Sequence, residues 1–419
     1  MRFNAIYFLS LSLLLTALCG CKTPKLSEAN EQMERGEFFN AAKTYRAVYN
    51  KLSPKNEREL RGVVAYRLAT CYRRLNQAPR ASAAYQNAIR YEYPDSMAFY
   101  YLGRSLQAEG KYNPAIDAYT AFLEWRPDDA LAKEGIRGCR KAIRAKGEPK
   151  SRYIVRNAKI FNSQRSDFAP MYLDKTLNTI YFTSSTEKAT GTNKSEITGT
   201  KKSDIFFSTK NERGEWQRPE PAEGELNTDA DEGVVSFSPD GQTMYLTMAR
   251  RSLNSDTSVE IYTSRRSDAS WSAPQKYEIT ADTLSAYGHP AVSPDGTYLY
   301  FCSDMPGGFG GKDIWRINLK SPTGSLENMG EQINTSGDEM FPYVRTDSLL
   351  YFSSDGHPGF GGLDLFRATL NSTGQRWSVE NMGIPINSPG DDFGITFGEG
   401  ESGFFSSNRR DARGYDSIY

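Results

Sequence analysis

Side chains able to do acid–base, nucleophilic or metal chemistry are few in this sequence and widely spaced. The two histidines, His289 and His357, each stand beside a proline and a glycine, in segments that we predict to be loops between strands. Neither has a second histidine or a cysteine at the spacing of a metal site. Nucleophile-elbow, phosphate-loop and dinucleotide fingerprints are missing from the sequence. We therefore expect both histidines to be turn residues, and we predict no catalytic residue, cofactor or metal.

Acidic residues recur at a regular interval in the second half of the chain. They stand at Asp204, Glu260, Asp313, Asp364 and Asp416, 51 to 56 residues apart, each just before an apolar pair. A carboxylate at the start of a strand can accept hydrogen bonds from backbone amides of the preceding turn. We expect this role for the four aspartates. A carboxylate cluster that binds Ca²⁺ is the alternative.

These acids belong to a repeat of short strands and turns that begins near residue 151. Its clearest copies span 298–315 and 350–366, and Ser-Pro-Asp-Gly turns stand at 238–241 and 293–296. A four-stranded unit of about 50 residues that repeats in this way indicates a β-propeller. Glycine-rich stretches within the copies lie between strands, so we expect loop tips rather than phosphate cradles.

The number of strands predicts how the propeller closes. The fifth copy stops after its third strand, at Tyr419, whereas a stretch resembling a fourth strand, from Ile154 to Asn162, has no copy before it. We therefore predict a five-bladed propeller in which this N-terminal strand completes the last blade and removes the free edges. An open array with a missing sixth blade is the alternative.

The first part of the chain carries a helical repeat. Ala81 and Ala115 are 34 residues apart, the period of a tetratricopeptide unit, and Ala41 begins the same spacing 40 residues earlier. Such arrays present a groove that binds a segment of a partner. The alternative is a simple spacer. A positive groove lining and a solvated helix face are the two interpretations of four arginines: Arg67, Arg73, Arg74 and Arg104.

The N-terminus reads as an export signal. Arg2 precedes an apolar run from Ala5 to Leu18 that is short for a membrane span. The sequence Leu-Cys-Gly-Cys that ends at Cys21 resembles a bacterial lipobox, which predicts lipidation of Cys21 and stable membrane anchoring. A secretory peptide cut near Ala17 or Gly20 is the alternative. We predict a signal peptide at 1–20, a tether at 21–27, tetratricopeptide repeats at 28–148 and the propeller at 149–419.

The other cysteines and the charge balance argue against disulfide bonds and against nucleic-acid binding. Cys71, Cys139 and Cys302 are predicted to be buried and unbridged, because the first two occupy equivalent points of repeats too far apart for a disulfide. Lys plus Arg and Asp plus Glu both number 51, which gives no case for nucleic acid.

The quoted blade motifs resemble the TolB-type propeller repeat. The order of lipobox, tetratricopeptide units and five-bladed propeller is similar to a family of Bacteroidetes outer-membrane lipoproteins, which includes members of the type IX (Por) secretion and gliding machinery. The resemblance implies a non-enzymatic scaffold on the periplasmic side of the outer membrane, with protein partners at the tetratricopeptide groove and a propeller face. Family members usually continue into an OmpA-like domain that grips peptidoglycan. This chain stops before it, so we expect a short member or a fragment, with an indirect association with peptidoglycan.

Two other classes of function remain open at this stage. One is a TolB-like envelope-integrity protein. The other is a glycan-binding lipoprotein of a nutrient-uptake system, for which Trp216, Trp271 and Trp377 are the candidate aromatic platforms. Their matching places within the blades favour core packing instead.

Overall fold

The computed structural model describes residues 23–145, 147, 151–191, 194–195, 197–251, 257–268, 270–412 and 414–419. The predicted signal peptide and the predicted lipidation site Cys21 lie outside the described residues. Within the described part, no helix has both the length and the apolar character that a membrane crossing requires.

Seven α-helices come first in the described chain, as three consecutive pairs and one further helix. They are α1 (Thr23–Glu34), α2 (Phe38–Lys51), α3 (Arg58–Arg74), α4 (Ala78–Arg90), α5 (Met97–Ala108), α6 (Tyr112–Trp125) and α7 (Ala130–Ala145).

Small residues and tyrosines at matching positions hold each helix pair together. Ala41, Ala81 and Ala115 are fully buried in the second helices of the three pairs. The tyrosine four residues after each of them is also fully buried. A small side chain lets two helices approach closely, and the adjacent ring fills the remaining space. The predicted tetratricopeptide spacing is therefore confirmed in all three pairs.

Five antiparallel sheets follow, one for each predicted blade, and neighbouring strands of a blade are mostly sequential in the chain. The first blade contains β1 (Asp167–Tyr172), β2 (Thr179–Ser184), β3 (Asp204–Thr209) and β4 (Glu220–Pro221). The second contains β5 (Asp231–Phe237), β6 (Thr243–Arg251), β7 (Thr257–Ser267), β8 (Ser270–Trp271) and β9 (Gln275–Lys276). The third contains β10 (Tyr287–Val292), β11 (Tyr298–Ser303), β12 (Asp313–Asn318) and β13 (Glu327–Asn328). The fourth contains β14 (Glu339–Thr346), β15 (Leu349–Ser354), β16 (Asp364–Leu370) and β17 (Trp377–Asn381). The fifth contains β18 (Asp392–Phe397), β19 (Gly403–Ser407), a 3₁₀ turn (Arg410–Ala412) and β20 (Ser417–Ile418).

The N-terminal segment closes the fifth blade, as the strand count predicts. The amide of Ala158 donates to the carbonyl of Ile418 at 2.9 Å. The Asn162 side chain accepts from the Ile418 amide at 2.7 Å and donates to its carbonyl at 2.8 Å. The same two-way asparagine bond joins the fourth-strand side of another blade to its third strand, from Asn387 to Leu365. The closure prediction is therefore confirmed.

The innermost strand of every blade carries one residue in the left-handed region. These five residues have φ between 43° and 59° and coincide with a shift of strand register: Ala169, Val234, His289, Phe341 and Gly394. Left-handed geometry is costly for a residue with a side chain, and most so for a β-branched one. In three of the five blades, a hydroxyl group of the preceding blade accepts a hydrogen bond from the amide of the bulged residue and so helps to hold this geometry.

These inter-blade hydrogen bonds form a repeated latch. The hydroxyl of Thr183 in the first blade accepts from the Val234 amide of the second at 3.0 Å. The hydroxyl of Thr247 in the second blade accepts from the His289 amide of the third at 2.8 Å. In the fifth blade, Ser406 accepts from the Ala169 amide of the first at 2.7 Å, which continues the latch across the closure.

The described chain divides into two compact units. One contains the described residues up to 105 together with 195–199, and the other contains 106–194 and 200–419. Helices α6 and α7 thus group with the propeller by their contacts. The boundary at 148–149 that the sequence repeats indicate stays a prediction.

The hairpin of α6 and α7 packs on the loop between β15 and β16 of the fourth blade. Gln107, just before the hairpin, donates to the carbonyl of Gly359 at 3.1 Å. A Cβ at Gly138 of α7 would overlap that same carbonyl oxygen. Lys141 lies 5.7 Å above the ring of Phe360, which is 2% exposed. The contact depends on backbone approach and therefore on glycine.

Candidate functional site

The central channel of the propeller is filled by the bulged inner strands. The cavity that remains there has a volume of about 10 Å³, close to the minimum for one water molecule. Its lining is apolar and includes Pro170, Val234, Pro290 and Pro342. Phe341 crosses this region and stacks on His289, with ring centroids 3.8 Å apart. This cavity is too small for a substrate.

Acidic residues that begin the inner strands act as structural supports. Each carboxylate accepts from the backbone amide four residues earlier: Ser163 to Asp167, Thr228 to Glu232, Thr335 to Glu339 and Ser388 to Asp392. A hydroxyl of the neighbouring strand adds a further bond in three blades, for example Ser354 to Glu339 at 2.6 Å. Burial raises the pKa of Glu232 and of Glu339 to about 7. The acids stabilise hairpins and are closed to solvent.

The recurring acids before the third strands have the predicted role in three blades. Asp204 accepts from the Thr190 amide at 2.5 Å, Asp313 from Phe309 at 2.7 Å, and Asp364 from Phe360 and Gly361, both at 3.0 Å. For these three the prediction is confirmed.

The other two blades depart from this pattern. Asp416 is half-buried, and its backbone amide donates to the Ser166 hydroxyl at 3.3 Å. Glu260 pairs with Lys276. No group of three or more potential metal ligands comes together within the described residues.

The raised carboxyl pKa values predict a loss of stability at higher pH. Glu339 binds its proton more tightly in the folded chain than in the unfolded one. Its contribution to stability is thus complete below pH about 4.5 and is lost as pH rises through about 7. At about 1.4 kcal/mol per pKa unit, Glu339 alone accounts for about 3 kcal/mol between these limits. Urea unfolding at pH 4.5 and pH 8 measures this difference.

Glu339→Gln is the matched variant for this pH dependence. Its amide oxygen can accept from the Thr335 amide, and its NH₂ can donate to the hydroxyls of Thr335 and Ser354, which Glu339 now contacts. We expect the variant to fold and to flatten the pH profile. An unchanged pH slope in this variant contradicts the assignment.

His289 is not in a loop, contrary to the sequence prediction. It lies on inner strand β10, and its Nδ1 is 3.4 Å from the Cys302 sulfur and 3.4 Å from the Phe341 amide nitrogen. Burial lowers the pKa of His289 to about 3 and raises that of Cys302 to about 12. A nucleophilic cysteine needs a thiolate and access to solvent, and this pair has neither. The adjoining proline and glycine suggested a turn because the strand bulges at this point.

His357 does lie in a blade loop, as predicted. Its Nε2 is 2.9 Å from the carbonyl of Ile333. Burial lowers the pKa of His357, so the ring is a neutral hydrogen-bonding partner of the loop. The three cysteines Cys71, Cys139 and Cys302 are buried and unbridged, which confirms that prediction.

The first helices of the repeats carry a face of tyrosines and arginines. Tyr66 of α3 stacks on Tyr93, with ring centroids 4.3 Å apart, and Tyr85 stacks on Tyr101 of α5 at 5.8 Å. The guanidinium of Arg73 lies 4.2 Å from the Tyr101 ring centroid. First helices line the concave surface on which repeat arrays bind other proteins. Tyr85 itself is fully buried beneath Tyr101. We call Tyr66, Tyr93, Tyr101, Arg73, Arg67 and Asn30 the tyrosine–arginine face.

Two half-buried positive charges on this face have no acidic partner. Arg67 donates to the side-chain oxygen of Asn30, a neutral acceptor that also receives the Tyr45 hydroxyl at 2.8 Å. The Nε of Arg73 is buried and has no hydrogen-bond partner. Neither guanidinium forms an ion pair with a carboxylate of the described chain. A half-buried guanidinium in this state favours an incoming anion.

The remaining two predicted groove arginines differ from this pair. Arg104 is half-buried in α5, whereas Arg74 is exposed at the end of α3 and lies 5.9 Å from the ring centroid of Phe38. For Arg74 the solvated helix face is therefore the correct interpretation. Tyr66, Tyr85 and Tyr93 all have their pKa raised by burial, so their hydroxyls stay neutral donors.

The tryptophans proposed as glycan platforms pack into the blades. Trp271 is 2% exposed and belongs to a core cluster of the first two blades. Trp216 and Trp377 are half-buried against other clusters. Core packing, the interpretation favoured by their positions in the sequence, is confirmed.

The long loop of the first blade reaches a helix. The carbonyl of Ile197 accepts from the Phe39 amide at 3.1 Å, and Gly199 has no space for a Cβ because the Phe39 ring lies against it. This part of the loop therefore packs on the start of α2.

The chain is thus a tetratricopeptide-repeat protein with a five-bladed β-propeller, two domain types that generally mediate protein interactions. The family model of the tetratricopeptide repeat matches residues 64–96 and 97–128. None of the curated proteins compared with this sequence matches it.

Solved structures resemble the two parts separately. The TPR domain of Sgt2 from Aspergillus fumigatus is 22% identical, with a TM-score of 0.26, and the match covers 33% of this chain and 90% of that one. An endo-arabinase from Bacteroides thetaiotaomicron is 14% identical, with a TM-score of 0.38, over 61% and 92% of the two chains. An α-L-arabinofuranosidase from Lactobacillus brevis is 12% identical, with a TM-score of 0.36, over 62% and 91%.

Proposed function

We propose that this protein is a non-enzymatic scaffold that binds an acidic, extended segment of a protein partner on its tyrosine–arginine face. The observation that carries the proposal is the pair of half-buried guanidinium groups, Arg67 and Arg73, without a carboxylate partner. The adjacent rings of Tyr66, Tyr93 and Tyr101 offer flat apolar area and hydroxyl donors. Such a surface suits a peptide with carboxylates beside apolar side chains.

The propeller supports a scaffold rather than an enzyme. The centre of the ring is apolar and filled, and the carboxylates around it already accept backbone and hydroxyl hydrogen bonds. The one cysteine–histidine contact of the channel is buried in its neutral form. A hydrolase needs a general acid and a base that reach a bound substrate, and these groups reach only each other and the backbone.

We further propose that the scaffold is anchored through lipidated Cys21 on the periplasmic side of the outer membrane. The support is the lipobox-like sequence that ends at Cys21, together with the resemblance to lipoproteins of type IX secretion and gliding machinery. A component of that machinery, or a protein associated with it, is the partner that the resemblance suggests. An indirect association with peptidoglycan belongs to the same proposal.

The test is crosslinking in cells followed by affinity purification of the tagged full chain. We expect Arg67→Ala/Arg73→Ala to lose the partner that the unchanged chain retains, by more than tenfold in affinity once the partner is purified. The reason is that each charge-assisted hydrogen bond contributes about 1.5–3 kcal/mol. Retention should also fall with added salt.

Three controls define the outcome. Arg74→Ala removes an exposed arginine from the same helix and should leave binding unchanged. Cys21→Ala should lose only those partners that require the anchored form. Thermal unfolding of the double variant checks that α3 is intact. Equal binding by the double variant and the unchanged chain would overturn the proposed face, and recovery of glycans alone would overturn the scaffold.

A further inference from the structure

The loop between the second and third strands has nearly the same sequence in the third and fourth blades. Residues 304–313 and 355–364 are equal in length, and both place Gly-Phe-Gly-Gly two residues before the aspartate that begins the third strand. The aromatic residue is Phe309 in one loop and Phe360 in the other. The two loops therefore form an internal comparison within one propeller.

The loop of the fourth blade is covered by helices. Gln107 donates to the carbonyl of Gly359, Gly138 of α7 lies directly against that carbonyl, and Lys141 lies over the Phe360 ring. Phe360 is 2% exposed as a result. Under this cover, both oxygens of Asp364 accept hydrogen bonds from loop amides.

The loop of the third blade is uncovered and has unsatisfied polar groups. Phe309 is 48% exposed. Asp313 accepts the Phe309 amide with one oxygen, while its other oxygen is buried and has no partner among the described residues. The indole nitrogen of Trp315, whose ring lies beside Gly307, is likewise buried and unpartnered. A buried polar atom without a partner is costly, which indicates that something completes this loop.

We propose that the loop at 304–313 is a second helix-docking site, and that its occupant is a helical hairpin of a protein partner. The hairpin presents a glycine and an amide side chain to the carbonyl of Gly308, and an ammonium side chain to the ring of Phe309. These are the equivalents of Gly138, Gln107 and Lys141 on the fourth blade. On docking, the Gly310 amide donates a hydrogen bond to the unpartnered oxygen of Asp313, as the Gly361 amide does to Asp364.

A partner, and not a second copy of this chain, fits the site. The α6–α7 hairpin of each copy is already engaged on its own Phe360, so it is not available to another molecule. The site uses neither Arg67 nor Arg73. It therefore extends the scaffold by a second surface that can be tested separately.

The experiment places the photo-crosslinking residue p-benzoylphenylalanine at position 309 of the full chain in cells. The matched control carries it at position 360, where it should crosslink within the chain to α7 near Lys141. For position 309 we expect a crosslink to a partner helix with glycine at the contact. With that partner purified, Phe309→Ala should weaken binding at least tenfold, whereas Leu326→Ala, which removes an exposed apolar side chain elsewhere in the third blade, should not.

Three results would overturn the proposal. One is a crosslink from position 309 to a second copy of this chain. Another is a crosslink to a strand or a loop of a partner. The third is no protein crosslink while the control at position 360 reacts as expected. Because Phe309 is half exposed, Phe309→Ala should keep the melting temperature of the unchanged chain, and this is measured alongside.

Discussion

Gly138→Ala is expected to detach the α6–α7 hairpin from the propeller and to cost about 3 kcal/mol of unfolding free energy. Alanine favours a helix over glycine by about 1 kcal/mol, so propensity alone predicts the opposite sign. The added Cβ would overlap the backbone carbonyl oxygen of Gly359, which cannot rotate away. Hydrogen exchange of the α6 and α7 amides should become faster, while the middle strands of the blades stay protected.

Gly135→Ala in the same helix is the matched control. Its Cβ would meet the ring of Tyr119 at 2.6 Å, a side chain of the neighbouring helix rather than the propeller backbone. It should cost less than Gly138→Ala and leave the Gly138–Gly359 contact in place, because a ring can shift where a backbone cannot. The shift would disturb only the hydrogen bond from the Tyr119 hydroxyl to Gln107. Equal exchange rates in the two variants would show that the backbone contact at Gly359 does not hold the hairpin.

Asn162→Ala is expected to open the ring at its closure and to cost about 2–3 kcal/mol. The substitution removes both side-chain bonds to Ile418. The buried Ile418 amide loses this acceptor, while its carbonyl keeps only the bond from the Ala158 amide. Residues 162 and 418 are far apart in the sequence, so no nearby chain connection holds the N-terminal segment to β20 once these hydrogen bonds are lost. Chemical unfolding should show a lower midpoint, and hydrogen exchange should rise first in β18–β20.

Asn387→Ala is the matched control for Asn162→Ala, because it removes the same kind of hydrogen-bond pair at a place that does not close the ring. Asn387 makes the same two-way bond to Leu365 within the fourth blade, where the chain itself continues into the next strand. Its loss should cost a similar free energy but spread no exchange to the fifth blade. If both variants raise exchange in the same strands, the N-terminal segment is not what closes the ring.

Periodic features of the fold could be predicted from the sequence. Ala81 and Ala115 carry the helical repeat because close packing requires a small residue at that point of every unit. The surplus fourth strand at Ile154 to Asn162 predicted the closure because a blade without it exposes an edge. The aspartates before the third strands were also predictable, because the turn that precedes the third strand is repeated from blade to blade and needs a carboxylate acceptor each time.

Features that depend on a single contact could not be predicted. His289 suggested a turn because a bulged strand and a loop use the same neighbours, glycine and proline. The contact of Gly138 with Gly359 joins residues more than two hundred positions apart and has no periodic signal. Of the four arginines, sequence could not separate Arg73 from its neighbour Arg74, because only the direction of each side chain decides which one reaches the face.

The latch between the blades is incomplete at two junctions, and one of them bears on how blades can be exchanged. At the other, the Ser353 hydroxyl of the fourth blade is buried and has no hydrogen-bond partner among the described residues. Where other blades offer a hydroxyl, the third offers Cys302, and the Phe341 amide of the fourth blade meets His289 instead, at 3.4 Å. Both the missing hydroxyl and its substitute belong to the third blade. That blade is therefore a self-contained module. A recombinant propeller could replace the whole third blade with a blade that carries serine or threonine at position 302, without altering the fourth blade. Transferring only residue 289 or only residue 302 would break the hydrogen bonding between the third and fourth blades.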